Sequence, residues 1–261
     1  MSRHRRVFAL ATTGVVALAV SGVIAAAVIG GRHQSVTTPV PVIVELFTSE
    51  GCSSCPPADQ LLIDLTGKQP IKEALIIGLG EHVDYWDHQG WKDPFSDHAF
   101  TGRQSAYAAA GGLTDIYTPQ VIVDGVTEAV GNDRGAVVAA IRRAAAQPKR
   151  SIALAWSSGT SGVSIAMDPS PETANSTVFL AITEDALRTS VKRGENAGRT
   201  LDHTAVARRL IQVGKTDKDG KFTSVVPVSI DQAWKREHTR VIVFVQSDAT
   251  RRITAVASIG A

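Results

Sequence analysis

Cysteine is scarce in this chain, because its 261 residues contain only Cys52 and Cys55. A bridge between two cysteines this close constrains the unfolded chain far less than a bridge that closes a long loop. The sequence therefore excludes a small fold stapled by disulfides, and a chain of this length buries a hydrophobic core without them. The short bridge therefore favours a chemical role for the pair over a structural one.

A basic patch is also missing. The formal net charge is +2, but Arg3, Arg5, Arg6 and Arg32 lie in an N-terminal segment that we expect to be an export signal. Without these four arginines, 23 basic residues stand against 25 acidic ones. This balance gives no indication of nucleic acid or of an anionic lipid surface as a partner.

Fixed metal-ligand spacings such as HExxH and HxxEH are absent. The segment 81–95 is nevertheless rich in His, Asp and aromatic residues, and His82, Asp84, Asp87 and His88 are conceivable metal ligands there. The interpretation we favour is a surface lid that packs its aromatic side chains on the domain beside the cysteines, where it would select the substrate. We predict no bound cofactor and no resident metal.

The stretch VIVELFTSEGCSSCPPAD, from Val42 to Asp59, is the most informative part of the sequence. It begins with an apolar, β-branched run typical of a buried strand, is broken by a turn, and continues after CSSC into a helical period. Pro56 and Pro57 fit the first turn of that helix. Strand, turn, CxxC and helix in this order indicate a thioredoxin-type redox site.

The start of a helix lowers the pKa of a nearby thiol and makes a thiolate available at neutral pH. We therefore expect Cys52 to lie exposed there and to attack, and Cys55, one turn deeper, to resolve the mixed disulfide. A structural disulfide and half of a metal site are the other interpretations of the pair. Soft thiolates select Cu(I), so the metal alternative is copper held by both cysteines and by His82 or His88.

Residues 1–32 have the composition of an export signal, with a basic start that lacks acids and a long apolar run after it. Because this run exceeds the length of a usual signal, it also fits a retained membrane anchor. In both cases the positive-inside rule places the remainder outside the cytoplasm, where a disulfide persists. Residues 33–40 read as a polar linker with prolines.

Beyond the CxxC helix, the apolar run at residues 74–79 predicts a second buried strand, parallel to the first. Helices are predicted over residues 96–110 and 134–146. Between these helices, Thr118-Pro119 leads into a β-branched strand that stops at Asp-Gly, which is a hairpin signal. We expect a cis-proline at Pro119 facing the cysteines, and the alternative is a proline at the first position of an edge strand.

The sequence changes in character after residues 147–149. Short β-type runs separated by turns predict an antiparallel β-sandwich over residues 150–261. The runs cover residues 151–156, 163–167, 177–183, 205–213, 222–230, 240–246 and 253–259. No catalytic motif appears among them, and we interpret RGENAGR at residues 193–199, with Asp202-His203 after it, as a structural turn.

Five segments together resemble one bacterial family: VELFTSEGCSSCPPAD, HVDYWDHQGWKDPF, FTGRQSAYA, YTPQVIVDG and RGENAGRTL. They look like the secreted thioredoxin-like proteins catalogued as domain of unknown function 1223. The resemblance implies an α/β fold with a thioredoxin-like domain over residues 41–147. It also matches Cys52 to the attacking cysteine, Cys55 to the resolving one, Pro119 to the cis-proline and Thr118 to the residue whose backbone pairs with an extended substrate.

This sequence departs from the thioredoxin pattern at three points. Gly51 replaces the tryptophan before the first cysteine, and Ser53-Ser54 replaces the Gly-Pro within the motif, which leaves the direction of electron flow open. Leu46 stands where thioredoxin has a buried acid. Glu45, one residue earlier, would be desolvated in an apolar strand, and a raised pKa would suit it to shuttle the proton of Cys55, unless a neighbour or solvent satisfies it.

We therefore predict an exported thiol–disulfide oxidoreductase that acts on protein thiols or disulfides. Its predicted site consists of Cys52, Cys55 and Glu45 for catalysis and of Thr118 and Pro119 for substrate binding. A copper metallochaperone and a non-catalytic binding protein are the alternative functions.

Overall fold

The structure is a computed structural model that describes residues 38–112, 114–159 and 161–261. The predicted export segment 1–32 lies outside the described residues, as does the linker 33–40 except for its last three positions. Within the described part of the chain, no helix is both long and apolar enough to cross a membrane.

Strands alternate with three helices up to residue 145, and strands follow. The helices are α1 Pro56–Lys68, α2 His98–Gly111 and α3 Arg134–Ala145. The strands of the first half are β1 Val40–Thr48, β2 Ala74–His82, β3 Gln120–Val123 and β4 Thr127–Val130. Those of the second half are β5 Ala153–Trp156, β6 Gly162–Met167, β7 Ser176–Glu184, β8 Leu187–Ser190, β9 Thr200–His203, β10 Val206–Lys215, β11 Phe222–Pro227, β12 Thr239–Ser247 and β13 Ile253–Gly260.

Eight strands form one mixed sheet in the order β13-β12-β7-β10-β2-β1-β3-β4, so the fold is α/β as predicted. β1 and β2 are parallel and connected through α1, and β3 turns into β4 at Asp124-Gly125. β10 joins β2 through one parallel pair, Val206 and Gly80. The sheet therefore crosses the predicted boundary at residues 147–149, and the described residues fall into one compact unit.

Alternation along β1 sends its side chains to two different cores. Val42, Val44 and Leu46 pack with α1 and α3 on one face of the sheet. Ile43 and Phe47 point to the other face, where α2 lies. A period of two residues in a strand causes this division, and it decides which polar residues of β1 can reach the cysteines.

The second half contributes β7, β10, β12 and β13 to the large sheet, and a separate three-stranded sheet, β11-β6-β5, packs on β7 and β12. Each of the seven predicted runs overlaps one of these strands. The hairpin of β8 and β9 was not predicted, and it forms a two-stranded sheet of its own. The hairpin carries the Gly-rich loop over residues 191–199 at its tip.

Candidate functional site

The two cysteines lie between the end of β1 and the start of α1. Cys52 follows a turn in which its N–H donates to the Ser49 carbonyl at 3.2 Å. Cys55 is the N-cap residue of α1, with Pro56 at the first helical position, where a missing N–H has no cost. The two Sγ atoms are joined in a disulfide.

Both cysteines are completely buried, at 0% exposure. The expectation of an exposed Cys52 at the helix start is therefore wrong for this conformation of the chain. A thiolate needs access to the sulfur that it attacks, so chemistry at this disulfide first requires that its cover moves.

The tip of the β8–β9 hairpin is bonded to the backbone of the cysteine loop. Asn196, itself fully buried, donates its Nδ2 hydrogens to the carbonyl oxygens of Glu50 and Cys52, both at 2.9 Å. Glu195 accepts from the Ser53 N–H at 3.0 Å. Asn196 and Glu195 were not predicted as site residues. Nothing local in the RGENAGR segment indicates contact with residues so far away in the chain.

Thr118 and Pro119 lie close to the start of α1. Their peptide bond is cis, as predicted. A Cβ on Gly131 would meet the Pro119 Cβ at 2.8 Å and the Ala58 Cβ at 3.1 Å, so Pro119 approaches the first turn of α1. Trp86 donates its Nε1 hydrogen to Thr118 Oγ1 at 2.8 Å. The binding role of both residues stays a prediction.

Trp86 also fills the space beside Gly51. A Cβ on Gly51 would lie 3.1 Å from the Trp86 Cβ. The position before the first cysteine has little room for a side chain because the Cβ and the main chain of Trp86, from the 81–95 segment, pack against it. This contact agrees with the expectation that aromatic residues of that segment lie beside the cysteines.

Glu45 lies on the face of the sheet that α2 covers, opposite the face on which α1 packs. Its carboxylate forms an ion pair with Arg103 and accepts from the Tyr107 hydroxyl at 2.6 Å. This placement corrects the expectation that Glu45 serves Cys55, since partners on α2 satisfy it and the sheet separates it from the first turn of α1. The neighbouring Glu81 is also buried, and burial, reinforced by the charge of Glu45, raises its pKa well above the usual range.

Asp59 is the acid that the structure places near Cys55. It lies one helical turn further along α1, where its N–H donates to the Cys55 carbonyl at 3.1 Å, and residues four apart on a helix share a face. Burial raises the pKa of Asp59, although the charges of His203 and His82 act in the opposite direction. Sequence analysis had the signal for this residue, because its spacing from Cys55 alone puts both on one side of the helix.

Asp59 lines an open cavity of about 330 Å³ between the first turns of α1 and strand β9. A group that exchanges protons requires such a path towards solvent. It is lined by Pro56, Pro57, Asp59, Gln60, Arg199, Thr200, Leu201 and Asp202.

Two acid–imidazole pairs lie behind the cysteine loop. Glu50 contacts His203 at 3.1 Å and accepts from the Trp91 indole at 2.8 Å. Asp93 contacts His82 at 2.7 Å and accepts from the Glu50 N–H at 2.8 Å. Burial acts to lower the pKa of His82, but the Asp93 carboxylate outweighs it and raises the pKa. Buried charges need such partners, and here they hold the backbone at Glu50 in place.

Among the residues that the structure describes, no group of three or more His, Cys, Asp or Glu side chains is arranged to hold a metal ion. Of the histidines considered as copper ligands, His82 is bound to Asp93. Asp87 accepts from the Asp93 N–H and from the Ser96 hydroxyl. The polar residues of segment 81–95 therefore serve mainly to fix the segment itself.

Fold and site together define an α/β protein whose CxxC disulfide caps a helix on one large mixed sheet and is covered by a hairpin. The chain belongs to the family described as protein of unknown function DUF1223, whose model matches residues 43–246. This confirms the resemblance read from the sequence segments. Among curated proteins, none matches the chain.

Two solved structures are similar to this fold. A structural-genomics protein from Agrobacterium tumefaciens has a TM-score of 0.66 and 26% sequence identity, and the match covers 85% of this chain and 95% of that one. HBP35 of Porphyromonas gingivalis has a TM-score of 0.57 and 13% identity, and the match covers 85% of this chain and 75% of that one. At that identity, the second likeness concerns the fold alone.

Proposed function

We propose that this protein is a thiol–disulfide oxidoreductase that acts through Cys52 and Cys55. The observation that carries the proposal is the position of the pair at the start of α1, with Asp59 one turn further along the helix. Burial raises the pKa of the Asp59 carboxyl, and Asp59 lines a cavity. Perturbed acids of this kind cluster at functional sites. A disulfide that served only as a staple would have no use for a proton acceptor beside it.

The proposal includes a thioredoxin-like arrangement for residues 41–147 and a β-sandwich for residues 150–261. The first is supported by the strand order β4-β3-β1-β2, with α1 and α3 packed on one face and α2 on the other. The second is supported by the packing of β11-β6-β5 on β7 and β12. In this proposal the two parts share one sheet.

In the proposed reaction, a substrate thiolate attacks Cys52 Sγ once the hairpin has moved. The Cys52–Cys55 bond breaks, a mixed disulfide forms, and Cys55 leaves as a thiolate that takes the proton of the Asp59 carboxyl. A second substrate thiolate attacks the substrate sulfur and releases Cys52. Two electrons pass from two substrate thiols to the protein disulfide, and the reverse sequence reduces a substrate disulfide.

The proposed partners are proteins with thiols or disulfides outside the cytoplasm. The location is proposed from the composition of residues 1–32. Substrate backbone would pair with Thr118, next to the cis-Pro119. An extracytoplasmic compartment lets the disulfide persist between turnovers.

The test is a pair of single-cysteine variants with insulin as a model protein disulfide. The reduced protein should reduce insulin in the presence of excess dithiothreitol, and Cys52→Ser should abolish this activity. Cys55→Ser, reduced and then freed of dithiothreitol before insulin is added, should instead accumulate a mixed disulfide with insulin, which a mass measurement detects, because the resolving thiol is gone. Full activity in Cys52→Ser would reject the proposal.

A non-catalytic binding protein is the second candidate function, and one observation favours it: neither cysteine has any exposed surface. In that case the disulfide would be a local staple of the loop before α1. The native protein would then leave its disulfide unreduced by dithiothreitol until it unfolds, and neither cysteine variant would differ from the parent in binding. Reduction in the native state would contradict this candidate.

A further inference from the structure

The β8–β9 hairpin stands apart from the sheets on which it lies. Its strands, Leu187–Ser190 and Thr200–His203, pair only with each other. Both its ends are residues in the left-handed region, Ala186 at φ 56° and Ala205 at φ 50°. Such backbone conformations are unfavourable for residues with a Cβ and persist only where surrounding contacts hold them.

Several contacts hold the base of the hairpin, among them the buried pair of His203 with Glu50 and the Gly80 N–H, which donates to the Ala205 carbonyl at 2.8 Å. Asp185 Oδ1 accepts from the Thr204 hydroxyl and from the Ala205 N–H, both at 2.8 Å. These contacts hold the strands of the hairpin in place. Its tip has its own support, because Gly198 donates to the Val191 carbonyl at 2.9 Å. The tip, residues 191–199, is therefore the part of the hairpin that can move as a unit.

The tip binds the cysteine loop with groups that imitate a polypeptide backbone. The Asn196 carboxamide donates to the carbonyls of Glu50 and Cys52, and the Glu195 carboxylate accepts from the Ser53 N–H. Beneath the hairpin, the cysteine loop thus presents two acceptors and one donor of the main chain. An extended polypeptide offers a row of matching donors and acceptors, whereas a small thiol such as 2-mercaptoethanol offers a single hydroxyl.

We propose that the hairpin tip, residues 191–199, forms a gate over the disulfide, that Asn196 is the residue that holds it shut, and that polypeptide thiols are its substrate class. The selectivity rests on the proposed function. An incoming chain replaces the hydrogen bonds of Asn196 with those of its own amides, so opening the gate costs it little. A small thiol leaves at least one of the two buried carbonyl groups without a donor, and such a group is costly to leave unpaired.

The first experiment measures reduction of the disulfide in the native protein. Dithiothreitol supplies two electrons and two protons, is itself oxidised to the cyclic disulfide, and leaves two thiols that a maleimide traps for mass measurement. We expect Asn196→Ala to be reduced about ten-fold faster than the parent protein, because two hydrogen bonds that hold the gate are lost. Lys192→Ala, on the same hairpin and bonded only to Ser190, is the matched control and should stay within about two-fold.

Glu195→Ala tests the gate independently, in case the Asn196→Ala variant does not fold. Glu195 is exposed and holds only the Ser53 N–H, so its removal leaves packing intact. Its rate should rise by about three-fold, since one hydrogen bond is lost. Rates equal to the parent in both variants, with unchanged circular dichroism, would overturn the gate.

The second experiment tests selectivity with 2-mercaptoethanol and with a short uncharged peptide that contains one cysteine. The parent protein should react faster with the peptide thiol than with 2-mercaptoethanol. The ratio of the two rates should fall by about five-fold in Asn196→Ala, because 2-mercaptoethanol then reaches the disulfide without breaking the hydrogen bonds of Asn196. An unchanged preference would reject the polypeptide as the substrate class.

These rates concern the protein's own disulfide, so they separate the gate from the proposed function. Faster reduction of the disulfide in Asn196→Ala, without any turnover of insulin, would support the gate proposal and contradict the proposed oxidoreductase function. Turnover that needs Cys52 but ignores Asn196 keeps the oxidoreductase and rejects the gate.

Discussion

The ionised form of Asp59 lowers the stability of the folded chain, because its carboxyl is buried in the first turns of α1 and burial raises its pKa. A structural role would normally supply a buried acid with a close cation or several donors. His203 and His82 are near enough to act on its charge, but their own contacts are with Glu50 and Asp93. A carboxyl kept in such surroundings suits a group that must be protonated part of the time.

Asp59→Asn should slow thiol–disulfide exchange at about pH 7 by roughly a hundred-fold, because the amide neither gives nor takes the proton of Cys55. The measurement is the rate of insulin reduction as a function of pH, in which the variant should lose the inflection that belongs to Asp59. Asp64→Asn is the matched control on the same helix, since Asp64 is bonded to Lys68 and lies well away from the cysteines. An equal rate in Asp59→Asn and the parent would contradict the assignment.

The same substitution should stabilise the protein at high pH. The pKa of Asp59 is higher in the folded chain, so its contribution to stability is fully present below the unfolded value of about 3.9 and is lost as the pH rises through the folded pKa. The amide does not ionise. Urea denaturation should therefore find Asp59→Asn more stable than the parent at about pH 8, with this advantage gone at about pH 3. An advantage that is independent of pH would mean that ionisation is not its cause.

The sequence allowed prediction of the cysteine pair and of the cis bond at Thr118-Pro119, since both depend on local chemistry. The prediction for Glu45 was wrong, because it placed this residue on the face of the sheet on which α1 packs. The alternation of Val42, Val44 and Leu46 already puts Glu45 on the opposite side from α1, so the period of β1 held the answer. The partner that satisfies Glu45, Arg103, is 58 positions away, and no local pattern predicts such a contact.

At the scale of elements, the helices and nearly all strands were predictable, but the β8–β9 hairpin was not. Its strands LRTS and TLDH have four residues each, are largely polar, and flank a nine-residue loop. Neither strand has the alternation or the apolar content on which sequence patterns depend. The hairpin is stabilised by what it covers, and that contact exists only in the folded chain.

The β3–β4 turn is another element fixed by a distant contact. Gly125 has φ +75°, and a Cβ there would lie 2.0 Å from the Arg251 carbonyl oxygen in the loop between β12 and β13. Gly125→Ala should therefore lower the free energy of unfolding by about 3 kcal/mol or more, from backbone strain and steric overlap together. Urea denaturation measures this change.

Gly112→Ala separates the two causes. Gly112 caps α2 at φ +69° with nothing within 4 Å of a Cβ, so only the backbone cost applies. That cost should be about 1 kcal/mol. If both alanine variants lose the same stability, the close approach of Arg251 to the turn contributes nothing.

At the scale of the whole molecule, the sequence predicted strands but not their order. β2 and β10 are neighbours in the sheet, although more than 120 residues separate them in the chain. One hydrophobic cluster contains Ile43 and Leu79 from the first half and Ala181, Ile242 and Phe244 from the second. The sequence does change in character at residues 147–149. The shared core forms only when both halves fold together, so the pattern of neither half predicts it.

This shared core predicts one cooperative unfolding transition. Trp86 and Trp91 belong to the first half, and Trp156 and Trp234 belong to the second, so pairs of Trp→Phe substitutions leave fluorescence reporters in one half only. In each double variant, the urea midpoint from fluorescence should agree within about 0.2 M with the midpoint from far-UV circular dichroism, which reports the whole chain. Clusters that span both halves cause this agreement, because neither half keeps its packing when the other unfolds. Midpoints that separate, with one half native while the dichroism signal has already fallen, would instead establish two independent domains divided at residues 147–149.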